Sequence, residues 1–177
     1  MAYFPDLSEY TYIKHLCRPN TLNVGWLDAT HPFEKEKTSA EVVSILWDYC
    51  KYSIGQTRGF QFCGINCCEY SGTIEYRRSG VLLKLGSAEV RVFGAADKIY
   101  AAPNLVYHYV SEHDYKMPDE FVIALMSGPP PGSDEYLERL RASNIPSSMT
   151  LSNYTREEAI RRIRTAAQAK GGSDRSN

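Results

Sequence analysis

Two pairs of metal-binding residue types, about forty positions apart, constrain this chain more than any other feature of its sequence. The first pair is Cys63 with either Cys67 or Cys68, in a C-x3-C or C-x4-C spacing. The second pair is His108 with His113, in an H-x4-H spacing. Both spacings are typical of tetrahedral zinc sites, in which thiolates and imidazoles bind the ion. The sequence therefore predicts a structural Cys2His2 zinc site.

The histidine pair can bind one ion only if its helix ends near the second histidine. On an ideal α-helix each residue turns by about 100°, so residues five apart point about 140° away from each other. The apolar period stops at Val110, and polar residues then lead to Pro118. We therefore expect a short helix that ends near His113, whose ring can then turn toward His108.

The sequence leaves the second thiolate ligand open, with a slight preference for Cys67 over Cys68. Two imidazoles and Cys63 leave one position of a tetrahedron, so one of the two neighbouring thiols binds and the other packs. A simpler interpretation makes His108 an ordinary, partly buried histidine and the cysteines small apolar residues. That interpretation is the better one for either pair alone, but the coincidence of two pairs favours a metal.

An open metal site can be drawn from the same helix. His108 and Glu112 are four residues apart and face the same way, so His108, His113 and Glu112 could hold a catalytic zinc with water as the fourth ligand. The segment lacks the H-E-x-x-H pattern, and this arrangement leaves Cys63 without a role. A closed structural site is the preferred hypothesis, and a metal-dependent hydrolase is the alternative.

The composition indicates a folded protein of a reducing compartment. The chain has 177 residues, of which 43% are apolar, enough for one main domain with its own core. Its five cysteines are an odd number, and its first residues lack the apolar run of a secretory signal. The longest apolar run, 121–126, is too short to cross a bilayer. We therefore expect a cytoplasmic protein without a membrane partner.

Alternating apolar residues, separated by turn residues, predict an antiparallel meander in the middle of the chain. Val81, Leu83 and Leu85 would share one face of a strand, and Val90 and Val92 would share one face of the next. Further strands are expected before the meander and in the segment that enters the cysteines. The expected strands are 22–28, 58–62, 73–77, 80–85, 88–93 and 98–101.

Apolar residues at helical spacing predict short helices that flank the sheet. Thr38 and Glu41 form a capping box, and Pro103 and Pro118 suit the first turns of two other helices. The expected helices are 39–52, a short one after 103, one that begins near 118, 133–142 and 155–170. Together these elements predict an α+β fold, an antiparallel meander with flanking short helices, stabilised by zinc and followed by a C-terminal helical extension.

A Gly- and Pro-rich segment at 128–132 separates a main domain from the rest of the chain. We expect a zinc-stabilised α+β domain at 1–127 and a connection with a short helix at 128–154. An amphipathic basic helix and a disordered tail are expected at 155–177.

The C-terminal helix is the one local feature that could favour nucleic acid. Segment 155–170 has five basic and two acidic residues, a local charge of 5 − 2 = +3. The whole chain has 20 Lys and Arg against 21 Asp and Glu, a net charge of −1, so it has no general attraction to phosphate backbones. A solvated helix at the edge of the core is preferred, and nucleic-acid binding is the weaker alternative.

Several blocks of the sequence are distinctive beyond the structure that they predict. They are YFPDLSEYTY, NVGWLD with HPF, RGF before the cysteines, LGSAEVRV and YAAPNLVYHYVSEHDYKMPDEF, and they span about residues 1–127. In these blocks the chain resembles a family of small uncharacterised bacterial proteins. Members of that family have a closer cysteine pair, whereas three residues separate Cys63 from Cys67 here. The resemblance supports the site, implies no established activity, and implies that residues after Gly128 are an extension.

These features favour a non-enzymatic function. A zinc ion that ties the cysteine segment to the histidine helix would contribute directly to folding. We therefore expect a zinc-stabilised module that binds a protein partner, whose identity the sequence leaves open.

Overall fold

The computed structural model describes residues 2–55, 59–66, 68–70 and 72–145. Within these residues short strands and helices alternate with long irregular segments, which confirms a mixed α+β architecture. The elements are a 3-10 helix at Lys14–Leu16, β1 Thr21–Asn23, α1 Ala40–Lys51, β2 Ile74–Arg78, β3 Val81–Leu85, β4 Glu89–Phe93, β5 Ile99–Pro103, α2 Val106–His113, α3 Asp119–Ser127 and α4 Asp134–Ala142.

The strands form two separate sheets, so the prediction of one antiparallel meander is wrong. β2 and β3 form an antiparallel hairpin in which Ile74 lies opposite Leu85. β4 pairs antiparallel with β5, and β1 pairs parallel with the other edge of β5, where Thr21 lies opposite Ile99. Gly86, with a φ of +98°, turns the chain between β3 and β4. The chain therefore leaves the hairpin at this turn and begins the second sheet.

A buried ion pair explains why the alternating pattern of β4 does not mark a solvent-exposed face. Glu89 and Arg91 alternate with apolar residues along the strand, but both side chains are buried. Arg91 Nη1 donates to Glu89 Oε2 at 2.6 Å, and the Tyr10 hydroxyl donates to Glu89 Oε1 at 2.8 Å. The Arg91 guanidinium also lies 4.7 Å from the Tyr10 ring centroid. These contacts allow charged groups to be buried, because each charge has a partner.

The structure corrects two local predictions in the first forty residues. The strand expected at 22–28 is limited to β1, because Gly25 adopts a φ of +68° and interrupts the extended chain. The first helix is capped by Ser39 rather than Thr38, since the Ser39 hydroxyl accepts a hydrogen bond from the Val42 amide at 3.4 Å. The helix nevertheless lies close to its predicted position.

Helix α4 packs on the core although it follows the Gly- and Pro-rich segment. Tyr136 and Leu140 have no exposed surface, and the Tyr136 ring lies 5.5 Å from that of Phe93. The domain boundary expected after residue 127 stays a prediction. The helix expected at 155–170, with its nucleic-acid hypothesis, lies outside the described residues. None of the helices in the described ranges is long and apolar enough to cross a membrane.

Candidate metal centre

The described part of residues 59–70, here called the cysteine loop, lies against α2. Four predicted ligands meet at this contact. The ligand atoms of Cys63, Cys68, His108 and His113 all lie within 4.8 Å of one another. His108 is buried, and the other three side chains are half-buried. This group could therefore hold a metal ion.

The distances within the group resemble the edges of a coordination tetrahedron. His108 Nε2 lies 3.2 Å from His113 Nε2 and 3.4 Å from Cys68 Sγ, and Cys63 Sγ lies 3.3 Å from His113 Nε2. Around a tetrahedral zinc ion, the bond lengths give edges of about 3.3 Å between two nitrogens and about 3.6 Å between nitrogen and sulfur. The side chains thus need only small shifts to surround one ion.

The end of α2 brings the second histidine into the group, as the sequence predicts. The helix ends at His113, and Asp114 then adopts a left-handed conformation with a φ of +53°. The Tyr115 amide donates back to the Tyr109 carbonyl at 3.0 Å, which closes the last turn. The His113 ring therefore lies at a helix end, where it can meet His108 in spite of their spacing.

A tyrosine on β2 orients the His108 ring. The Tyr76 hydroxyl donates to Glu112 Oε1 at 3.0 Å and lies 2.9 Å from His108 Nδ1. Because the hydroxyl proton is directed at the carboxylate, we assign the His108 proton to Nδ1, which donates to the Tyr76 oxygen. His108 Nε2 then keeps its lone pair and directs it into the group of ligands. Metal-binding histidines are commonly held in this way.

Desolvation shifts the pKa values of His108, His113 and Cys63 toward their uncharged forms. Desolvation, followed by the nearby His113, lowers the pKa of His108 to about 4. Desolvation is also the main cause that raises the pKa of Cys63 to about 12, and the adjacent Cys68 contributes to this shift. A divalent cation would reverse the balance for the thiols, because its charge favours the thiolate form.

The cysteine loop is attached to the turn between β3 and β4. The Gln61 amide donates to the Gly86 carbonyl at 2.7 Å, and the Gly86 amide donates to Asn104 Oδ1 at 2.6 Å. Asn104 lies between β5 and α2, so one turn connects the loop with the start of the histidine helix. The strand expected at 58–62 is absent from its described part, 59–62, where this one hydrogen bond replaces a ladder.

The outcome differs among the predicted ligands. Cys63, His108 and His113 lie in the group together with Cys68, whose amide donates to the Ile65 carbonyl at 3.2 Å in a tight turn. Cys67 lies outside the described residues, so the slight preference for it stays untested. The Glu112 carboxylate accepts a hydrogen bond from a tyrosine, and it is not one of the four grouped ligands.

Sequence reasoning missed two residues that build the site. Tyr76 appeared only as part of a strand, and its role depends on a contact with a helix 32 residues further along the chain. Gly86 is one of the turn residues between the expected strands 80–85 and 88–93, and the sequence correctly predicts this turn but does not indicate which segment packs against it. A Cβ atom at Gly86 would overlap the Gln61 carbonyl oxygen.

A family model described as a domain of unknown function, DUF7919, matches residues 2–126. The chain belongs to the DUF7919 family. All four grouped residues lie within the matched segment, whereas α4 follows it. No curated protein and no solved structure matches the chain.

Gly86→Ala should destabilise the DUF7919 domain more than Gly80→Ala. Both glycines have positive φ, +98° and +78°, so both substitutions carry a backbone cost of about 1–3 kcal/mol. Only at Gly86 would the new methyl group overlap the cysteine loop, whereas no atom lies within 4 Å of the Cβ position at Gly80. We expect an additional loss of about 1–3 kcal/mol in the free energy of unfolding, measured with urea. Equal losses for the two variants would contradict this role of the turn.

Tyr76→Phe should weaken metal binding without unfolding the domain. The substitution removes the hydroxyl between His108 and Glu112, and loss of such a contact commonly costs 10–100-fold, that is about 1.4–2.7 kcal/mol, in metal affinity. Competition with a chromogenic chelator would measure this affinity. Tyr100→Phe is the matched control, because it removes a tyrosine–glutamate hydrogen bond elsewhere. Unchanged affinity in Tyr76→Phe would show that the hydroxyl does not orient the ligand.

Proposed function

We propose that this DUF7919 domain is a non-enzymatic protein-interaction module whose fold is completed by a structural zinc ion. The ligands would be Cys63, Cys68, His108 and His113. The observation that carries the proposal is the approach of all four ligand atoms to within 4.8 Å of one another.

The chemistry of the four groups favours zinc over other common metals. Thiolates are soft ligands, which disfavours magnesium and calcium, and imidazoles suit zinc well. Two sulfurs and two nitrogens at tetrahedral spacing are one of the common ligand sets of structural zinc sites. A divalent cation would also stabilise the thiolate form of Cys63, which burial otherwise disfavours.

Four protein ligands favour a structural role over the hydrolase alternative. A catalytic zinc ion keeps one position for water or substrate, whereas Cys63, Cys68, His108 and His113 would fill a tetrahedron. Glu112, which the hydrolase would need as a ligand or base, accepts a hydrogen bond from the Tyr76 hydroxyl at 3.0 Å. Its carboxylate thus helps to orient His108.

The zinc ion would stabilise a loop that buries little surface of its own. The described part of the cysteine loop forms no strand or helix, and its side chains are exposed or half-buried. Ordering such a loop costs conformational entropy that few buried apolar groups offset here. Because an unfolded chain has no preformed site, the binding free energy of zinc would contribute to folding.

Exposed aromatic rings beside the site support an interaction role. Phe60, Phe62 and Tyr70 belong to the cysteine loop and are 40%, 52% and 41% exposed. The Tyr70 ring also lies 5.1 Å from the His108 ring, so the metal group and the aromatic surface are neighbours. Aromatic residues are enriched at protein interfaces, where they contribute much of the binding energy.

The purified protein should contain one zinc ion per chain, as measured by inductively coupled plasma mass spectrometry. Cys63→Ser, Cys68→Ser and His108→Ala should each lose the ion, whereas Cys67→Ser should keep it. We expect loss of the ion to cost at least about 3 kcal/mol, which lowers the Tm of a domain this size by about 6–12 °C.

Cys67→Ser is the matched control, since it removes the neighbouring thiol of the same loop. The proposal of a structural zinc site is wrong if the native protein lacks stoichiometric zinc or if its Tm does not respond to the ligand substitutions. Loss of zinc in Cys67→Ser and retention in Cys68→Ser would instead assign the fourth position to Cys67.

Phe62→Ser should abolish capture of a protein partner in an affinity experiment with the zinc-loaded protein as bait. Met126→Ser is the matched control, because Met126 is 53% exposed, about the same as Phe62, but lies on α3. Quantitative mass spectrometry would compare the proteins captured by the native protein, by Phe62→Ser and by Met126→Ser. If no protein depends on Phe62 for capture, the cysteine loop is not an interaction surface.

A further inference from the structure

A cleft of about 420 Å³ lies among the N-terminal segment, the loop that precedes α1 and the connection between α2 and α3. Its volume lies within the range of about 300–1,000 Å³ that is usual for small-molecule sites. None of the four grouped metal ligands lines it. The cleft is therefore a separate candidate site from the metal centre.

Four aromatic residues are among the twelve that line this cleft. Tyr3, Phe4, Phe33 and Tyr115 all line it. The Tyr3 ring stacks on the His31 ring at a centroid distance of 3.6 Å and an interplanar angle of 5°. The Phe33 and Tyr115 rings meet edge to face at 6.0 Å, and Lys35 Nζ already lies 5.6 Å from the Phe33 ring centroid. These contacts hold rings in place before any ligand binds.

The carboxylate of Asp6 also lines the cleft, and it has only neutral hydrogen-bond donors. Its Oδ1 accepts from the Gly25 amide at 2.8 Å, and its Oδ2 accepts from the Tyr115 hydroxyl at 2.7 Å. Within the described part of the chain no cationic side chain forms an ion pair with it. The residue is exposed, and partial desolvation outweighs these two hydrogen bonds and raises the pKa of Asp6. A cation in the cleft would lie beside this carboxylate.

The other charges of the cleft leave an excess of negative charge. Asp119 and Glu34 line it together with one cation, Lys116. Lys116 Nζ lies 3.3 Å from Glu34 Oε2 and 3.4 Å from Glu36 Oε2, so two carboxylates already neutralise it. Asp6 and Asp119 thus keep the cleft attractive to cations and unfavourable to anions.

We propose that this cleft binds a small organic ammonium ion. Aromatic faces attract such ions through cation–π interactions, and a carboxylate supplies the opposite charge. A metal ion fits less well, because the one group of metal-binding side chains found among the described residues is the cysteine and histidine site. The carboxylates of the cleft would bind the charge of the ammonium ion, and the aromatic rings would contact its apolar groups.

The test is a titration of zinc-loaded, full-length protein with tetramethylammonium chloride and, separately, n-butylammonium chloride at constant ionic strength. Amide chemical shifts from 1H–15N spectra would report binding, with saturable changes expected at Gly25, Tyr115 and their neighbours. The neutral alcohol 3,3-dimethyl-1-butanol has similar bulk and should bind at least 10-fold more weakly. Saturation by either ammonium ion supports the proposal, and their comparison distinguishes quaternary from primary amines as ligands.

Asp6→Asn should weaken binding of the ammonium ion at least 10-fold, because it keeps the shape of the side chain and removes its charge. Asp97→Asn, in the turn between β4 and β5, is the control and should leave the affinity unchanged. Phe33→Leu retains the carboxylate and should weaken binding several-fold through the loss of one ring. Zinc content and Tm of each variant would show that the fold and the metal site persist.

The proposal is wrong if neither ammonium ion gives saturable shifts, if the neutral alcohol binds equally well, or if both Asp6→Asn and Phe33→Leu bind like the native protein. None of these outcomes would alter the zinc content, so failure of this proposal is distinguishable from failure of the structural zinc site.

Discussion

The approach of the cysteine loop to the end of α2 is the constraint on which the candidate metal centre depends. His108 Nε2 and His113 Nε2 lie 3.2 Å apart, and the sulfurs of Cys63 and Cys68 each lie within 3.4 Å of one of them. Desolvation makes the charged forms of His108 and Cys63 costly at this position. One divalent cation would remove this cost, because it binds neutral imidazoles and stabilises thiolates.

The turn between β3 and β4 transmits this constraint to the sheets. Gly86 accepts a hydrogen bond from Gln61 in the cysteine loop and donates one to Asn104 before α2. A second connection joins the β2–β3 hairpin to α2, where the Tyr76 hydroxyl contacts the His108 ring. The cysteine loop is thus held by a few specific polar contacts, whereas the hairpin, α2 and the sheet of β1, β5 and β4 share one apolar core.

The success of sequence reasoning differed between local and long-range features. The spacing of His108 and His113 and the polar residues after Val110 were sufficient to predict a short helix that ends at the second histidine. The parallel pairing of β1 with β5 joins residues 78 positions apart, such as Thr21 and Ile99, and no local pattern encodes it. The position of Cys68 in the group depends on the turn in which its amide meets the Ile65 carbonyl, a geometry that spacing alone leaves open.

The chemical identity of the four ligands is the central claim, and X-ray absorption at the zinc K-edge of the purified protein tests it most directly. The account predicts two sulfur ligands at about 2.3 Å and two nitrogen ligands at about 2.0–2.1 Å, with the outer-shell pattern of imidazole rings. A zinc ion with a water ligand, or with fewer than two sulfurs, would contradict the account.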